Sequence, residues 1–167
     1  MGNMYQMDGP NSPEWYESQI ALAHQINDRE LSLGMTPVYN GFAGFVPRAM
    51  TQKFPESRFV QSHWHEFSVD MVSPMDSLFG RIGSAYIQAW EKEFGKGKYY
   101  LIDCFNEMDI PFGEKGSQER HDALSAYSKA IYESVSNVNP DAVWVMQGWI
   151  LGYQRDLWDT EALQALL

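Results

Sequence analysis

Three short apolar runs, set between segments of helical period, constrain this chain more than any other feature. Residues 36–42 (TPVYNGF), 98–105 (KYYLIDCF) and 142–149 (AVWVMQGW) are β-prone and too short for helices. The run at 98–105 is mostly apolar, which predicts a strand buried on both faces.

The segments between them read as helices. Ser12-Pro13-Glu14 supplies an N-cap, a first-turn proline and an acid suited to the positive end of the dipole. Trp15, Leu22, Ile26 and Leu33 follow at helical spacing, and Gly34 is placed to end that helix. Phe79, Ile82, Tyr86 and Trp90 predict a second helix over about 76–94 that stops at Gly95. A third starts at Ser117, carries Leu124, Tyr127, Ile131 and Val138 on one side, and breaks at Asn139-Pro140-Asp141. Asp159 or Thr160 caps a last one with Leu163, Leu166 and Leu167 in its stripe. Between the first strand and the second helix, Pro47, Pro55 and Pro74 interrupt any period. That stretch, about 43–75, reads as a long irregular strand-end loop with one short helix near 48–53.

Strands alternating with helices predict parallel βαβ units. An open doubly wound sheet and a closed (β/α)8 barrel both use them; three strands make a poor open sheet, and a barrel needs about 250 residues. No strand precedes the first helix, and the last runs to Leu167 without a C-cap. The expectation is therefore an α/β fold, a partial (β/α)8 TIM barrel with about three of the eight βα units. Residues 1–167 would form an incomplete segment of a catalytic barrel, the alternative being a small α/β domain.

Composition narrows the function. Twelve Lys and Arg stand against 22 Asp and Glu, a net charge of -10, which argues against nucleic acid as partner because such affinity comes mainly from basic side chains. No apolar run approaches the roughly 20 residues of a membrane span, and the start, MGNMYQMDGP, lacks the pattern of a secretory signal. The single cysteine, Cys104, excludes an internal disulfide framework and a multi-cysteine zinc site.

In a (β/α)8 barrel the catalytic groups lie at the C-terminal ends of strands and on the loops that follow. That rule selects the excursion after Phe42, the segment 105–109 (FNEMD) and the neighbourhood of 147–149. Glu107 leads: a carboxyl group at the rim, with apolar Phe105 and Met108 beside it, is placed to act as a general acid. A salt bridge or loop cap is its structural alternative. Asp103, inside the strand, is expected to pair with a neighbouring donor, and Asp109 to be solvated. His63 and His65 share a side if the segment is extended, so a metal-dependent barrel hydrolase using both is a rival; hydrogen-bonding loop histidines are the plainer reading. Of the tryptophans, Trp15, Trp90 and Trp144 are expected in the core. Trp64 and Trp149 fall on the functional side, where flat aromatic faces suit a sugar ring, and Asn106 and Gln147 suit its hydroxyl or amide groups. Core packing remains the alternative for each.

At these residues the chain resembles glycoside hydrolase family 89, the α-N-acetylglucosaminidases. The matching stretches are MGNMYQMDGP at 1–10, LGMTPVYNGFAGFVP at 33–47, the segment from Ser73-Pro74 to EFG at 93–95, DCFNEM at 103–108 and AVWVMQGW at 142–149, in the family's order. The resemblance implies retaining hydrolysis of a terminal, non-reducing α-linked N-acetylglucosamine, with the glycan as partner and no cofactor or metal. It implies that Glu107 is the general acid/base and that Asn106 lies near the N-acetyl-bearing carbon. Met1, Trp64 and Trp149 would line the pocket for the terminal sugar. It also implies a secreted, periplasmic or lysosomal setting. The family's nucleophile stands on a later strand, farther along than the 60 residues that follow Glu107 (167 minus 107). The remainder of the barrel is then a required partner, and the chain by itself is expected to be inactive. A non-catalytic carbohydrate-binding or structural remnant is the non-enzymatic rival. The chain departs from the family pattern at Phe45, where relatives carry His, and at Tyr39-Asn40, where Leu-Pro is common.

Overall fold

The computed structural model describes residues 11–167, so Met1 lies outside the described residues. The first element is α1 (Pro13–Ser32). It begins where the sequence dictates: the Ser12 hydroxyl accepts the Trp15 N–H at 3.3 Å, and Pro13, which has no N–H to leave unpaired, occupies the first turn. Strand β1 (Val38–Asn40) follows, then β2 (Phe45–Val46), α2 (Ala49–Lys53), β3 (Phe59–Trp64) and β4 (Phe67–Val72). The rest is α3 (Ser77–Phe94), β5 (Tyr99–Leu101), α4 (Gln118–Ser136), β6 (Val143–Val145), α5 (Trp149–Tyr153) and α6 (Thr160–Leu166).

Strands β1, β5 and β6 form a parallel sheet in that order, with Tyr39 beside Tyr100 and Tyr100 beside Trp144. Successive parallel strands are thus spatial neighbours, joined through α3 and then α4, as in consecutive units of a (β/α)8 barrel. The described residues form three such strands and no closed barrel. Outside the sheet, α4 packs against α3 and against α6. Phe79, Ile87, Leu124, Tyr127 and Ile131 from these helices are fully buried with Tyr100, Ile102 and Phe105.

Three expectations change. The excursion is not irregular: β2, β4 and β3 form an antiparallel sheet, with β3 and β4 joined by the two-residue turn His65-Glu66. Only α2 was legible there. Strand β5 is shorter than expected and half-covered, with Tyr100 buried and Tyr99 and Leu101 intermediate; after one further backbone bond at Ile102 the chain turns into a loop. Finally, α1 buries none of its residues, and Trp15 is 46% exposed rather than in the core. Polar contacts tie α1 to its neighbours: His24 Nε2 meets Glu93 at 2.8 Å, and the Tyr39 hydroxyl donates to Asn27 Oδ1 at 3.0 Å, while the His24 ring lies 4.9 Å from that of Phe94.

Helix ends place the strands. The Asp76 carboxylate caps α3 through the Leu78 N–H at 2.9 Å, and a second bond, from the Arg58 N–H at 2.7 Å, ties that cap to the start of β3. At the other end Gly95 takes φ 86°, a conformation that costs a residue with a Cβ much more. Gly44, at φ 96°, is needed for a second reason: a Cβ there would stand 2.7 Å from the Phe79 ring and 2.8 Å from the Met71 methyl.

Candidate active site

The C-terminal ends of the parallel strands carry the chemistry-bearing residues. Backbone bonds continue the sheet for one step past the strands, from the Gly41 N–H to the Leu101 carbonyl and from the Ile102 N–H to the Val145 carbonyl. The chain after β5 then turns out of the sheet in a short irregular loop that presents Glu107.

That loop is anchored from below and from the side. Phe105 is fully buried, its ring 4.9 Å from Tyr127 and 5.7 Å from Phe112. Beyond it, Asp109 donates its N–H to the His63 carbonyl at 3.0 Å and accepts the Ser62 hydroxyl on its own carbonyl at 2.8 Å. Between these anchors the Met108 N–H closes a turn on the Phe105 carbonyl, and Phe105 and Glu107 hold φ values of 47° and 57°. Non-glycine residues in this left-handed region cost roughly 1–3 kcal/mol each and persist only where the surroundings over-determine them. The turn aims Glu107 outward. Its carboxylate is exposed in the described structure, so the apolar enclosure by Phe105 and Met108 that the sequence suggested is absent: Phe105 packs downward into the core instead.

Asn106 lies half-buried beside Glu107, with its Oδ1 buried and unpaired among the described residues. A buried carbonyl oxygen without a donor is costly. Asp103 pairs as expected, accepting the Gln147 N–H at 2.8 Å.

Trp64 ends β3, half-buried and stacked on Phe67 at 6.0 Å. Trp149 is 45% exposed, opens α5 rather than ending a strand, and donates its Nε1–H to Gln147 Oε1 at 3.3 Å. Trp64 is joined to the Glu107 loop through Ser62, His63 and Asp109, and Trp149 through Gln147 and Asp103. The tryptophan of the deep core is Trp158, which the sequence had not assigned.

The histidine-pair reading loses its premise. His63 stands in the ladder opposite Ser68, but His65 lies past the strand end in the turn, at φ 52°, so the two do not alternate along one extended face. His63 Nδ1 is 3.8 Å from the Asp109 carboxylate, and no group of three or more metal-binding side chains occurs among the described residues. No described helix is long and apolar enough to cross a membrane.

Two concavities, of about 580 and 490 Å³, lie away from this rim. The first is lined by α3 and α4 residues such as Arg81, Ser84 and Glu133, the second by Phe59, Phe112 and Glu119. Neither includes Glu107, Trp64 or Trp149.

Parallel strands neighbouring in chain order, joined through helices and ending in a loop-built rim, fit the TIM-barrel class. The chain belongs to the α-N-acetylglucosaminidase family, whose TIM-barrel domain matches residues 1–167. It is 36% identical over 173 residues to human alpha-N-acetylglucosaminidase, covering all of this chain and 22% of the human protein. A family 89 glycoside hydrolase from Clostridium perfringens, solved with 2-acetamido-1,2-dideoxynojirmycin, superposes with a TM-score of 0.72 at 25% identity. That match covers 95% of this chain and 17% of the clostridial chain. The same fold match, at 24% identity, is found with a form of the clostridial enzyme, two glutamates replaced by glutamine, bound to its substrate GlcNAc-alpha-1,4-galactose. The chain therefore spans about a fifth of the length of the relatives it matches.

Proposed function

We propose that this chain is the acid/base-bearing segment of a retaining α-N-acetylglucosaminidase barrel, acting on glycans with a terminal, non-reducing α-linked N-acetylglucosamine. The reading is supported chiefly by one observation: a chain-long 36% identity to human alpha-N-acetylglucosaminidase coincides with a glutamate on a two-anchor, left-handed loop at the exit of a parallel strand.

In retaining glycosidases two carboxyl groups stand about 5 to 5.5 Å apart. One attacks the anomeric carbon as the other protonates the leaving oxygen; the second then takes a proton from the water that releases the sugar. Glu107 has the second role. Asn106 lies beside the carbon bearing the N-acetyl group, and Trp64, Trp149 and Met1 bound the pocket of the terminal sugar. The nucleophile belongs to a later strand outside residues 1–167, and the rest of the barrel completes the site.

The experiment is an assay of the purified 167-residue chain with an aryl α-N-acetylglucosaminide. No aryl release is expected. Release that disappears in Glu107→Gln would show that a nucleophile is already present, and would overturn the assignment of the nucleophile to a strand elsewhere. In the complete enzyme, Glu107→Ala should slow substrates with poor leaving groups far more than those with good ones; equal slowing removes Glu107 from the acid role.

A further inference from the structure

The loop that presents Glu107 is not held by its own strand alone. Asp109 is bound on both its backbone groups to β3, a strand that precedes it by more than 40 residues and belongs to the other sheet. One of these bonds is backbone to backbone and would survive any side-chain change. The other comes from the hydroxyl of Ser62, which is fully buried (0% exposed) although its neighbours Gln61 and His63 are exposed.

A buried serine is used when its hydroxyl has a defined partner, since an unpaired one is penalised. Ser62 has that partner at 2.8 Å, and the partner is the carbonyl two residues after Glu107. Phe105, fixed in the core two residues before Glu107, is the opposite anchor. With both ends held, the three residues between them have little freedom, and the left-handed geometry of Glu107 is maintained against its intrinsic cost. Ser62 and Trp64 are two apart on β3 and share a face of the strand. One strand thus fixes the position of the acid loop and of an aromatic face assigned to the sugar pocket.

We propose that Ser62 is a positioning residue for proton donation: its hydroxyl, through the Asp109 carbonyl, sets the reach of Glu107 to the leaving-group oxygen. The proposal rests on Glu107 being the acid/base. A good leaving group departs without the proton, so a misplaced acid lowers kcat/KM, which reports formation of the glycosyl-enzyme, selectively for poor leaving groups; the base step in deglycosylation does not enter kcat/KM. Proximity effects of this kind are steep, and a shift of about 1 Å can cost on the order of a hundredfold.

The test uses the complete enzyme and two aryl α-N-acetylglucosaminides, one with a dinitrophenyl and one with an unactivated phenyl leaving group. The ratio of their kcat/KM values isolates the step in which the leaving group departs and does not depend on how much of a variant is folded. Ser62→Ala should lower kcat/KM for the phenyl substrate roughly tenfold relative to that for the dinitrophenyl substrate. Ser62→Cys, which keeps a weak donor of similar size, should recover part of that ratio and carries the test if the alanine variant does not fold. In a Glu107→Ala background, Ser62→Ala should add no further selective loss. An unchanged ratio in both Ser62 variants, with Glu107→Ala still selective for the poor leaving group, overturns the positioning role and leaves Glu107 in place. A non-selective Glu107→Ala overturns the acid assignment itself, and this proposal with it.

Discussion

The carboxylate of Asp103 accepts the backbone N–H of Gln147 at 2.8 Å, joining the exits of two neighbouring parallel strands. The bond lies just past the ladder, where β5 and β6 have stopped exchanging backbone bonds, and it directs the segment that leads into Trp149. Asp103→Ala should destabilise the chain by about 1–2 kcal/mol, and Asp103→Asn, which keeps an acceptor, by less. Urea unfolding of the three proteins checks the order.

Arg120 is a buried guanidinium whose hydrogen-bond partners are carbonyls. Its Nε donates to the Phe112 carbonyl at 2.9 Å and its Nη2 to those of Gly113 at 2.9 Å and Ile110 at 3.5 Å. It is a clasp for the loop that runs from the Glu107 turn into α4. Arg120→Ala strips donors from those carbonyls, and a loss of about 3 kcal/mol is expected. Arg120→Lys should restore only part, because an ammonium does not reproduce the planar fork. Denaturant titration of both variants is the measurement.

Trp149 and Trp158 should separate surface from core. Trp158 is 2% exposed, so Trp158→Ala should cost about 3–5 kcal/mol. Trp149→Ala removes a largely exposed ring and should change stability by less than about 1 kcal/mol, while raising KM for the sugar in the complete enzyme. Paired unfolding and kinetic measurements distinguish the two effects; a stability loss for Trp149→Ala equal to that for Trp158→Ala would assign Trp149 to the core.

Stability should fall at alkaline pH. Burial, with the Asp103 charge added, pushes the Cys104 thiol from 9.0 up to about 12. Burial likewise raises the Tyr127 phenol, helped by Cys104 and Asp103, and it raises Tyr100, which donates to the Glu91 carboxylate at 2.7 Å. Each folded value lies above the unfolded one, so the stabilisation is complete below the unfolded value. It declines as pH rises past that value, where the unfolded chain releases protons that the folded chain retains. The decline should begin near pH 9 with Cys104 and steepen above about 10 as the tyrosines join. Cys104→Ala should flatten its early part. Unfolding free energies at neutral pH and at about pH 10 test this, and slow alkylation of the native thiol is a companion result.

Helix starts were legible in the sequence because a cap is a local event. Ser12, Asp76, Ser117 and Asp159 each accept a backbone N–H two or three residues ahead, and nothing distant is needed to see it. The hairpin of β3 and β4 was hidden for the opposite reason. In β3 the buried position between Val60 and Trp64 is Ser62, which spoils the apolar alternation that marks a half-buried strand, and in β4 the polar Asp70 is buried as well. Their burial is permitted by partners elsewhere: the Asp109 carbonyl for Ser62, and Gln61 with Arg48 for Asp70. The alternation of Phe67, Val69 and Met71 was the available signal for β4.

Residue pattern alone determined the βα alternation, the strand whose exit bears Glu107, and the family, because caps, periods and ordered motifs are written in neighbouring residues. Tertiary structure decided how Glu107 is presented. Its outward turn, the downward packing of Phe105 and the bond from Ser62 to Asp109 depend on contacts between segments up to 47 residues apart. Such contacts exist only once two sheets have been brought together, since neither the strain of the loop nor the burial of a serine is tolerable until its distant partner is in place.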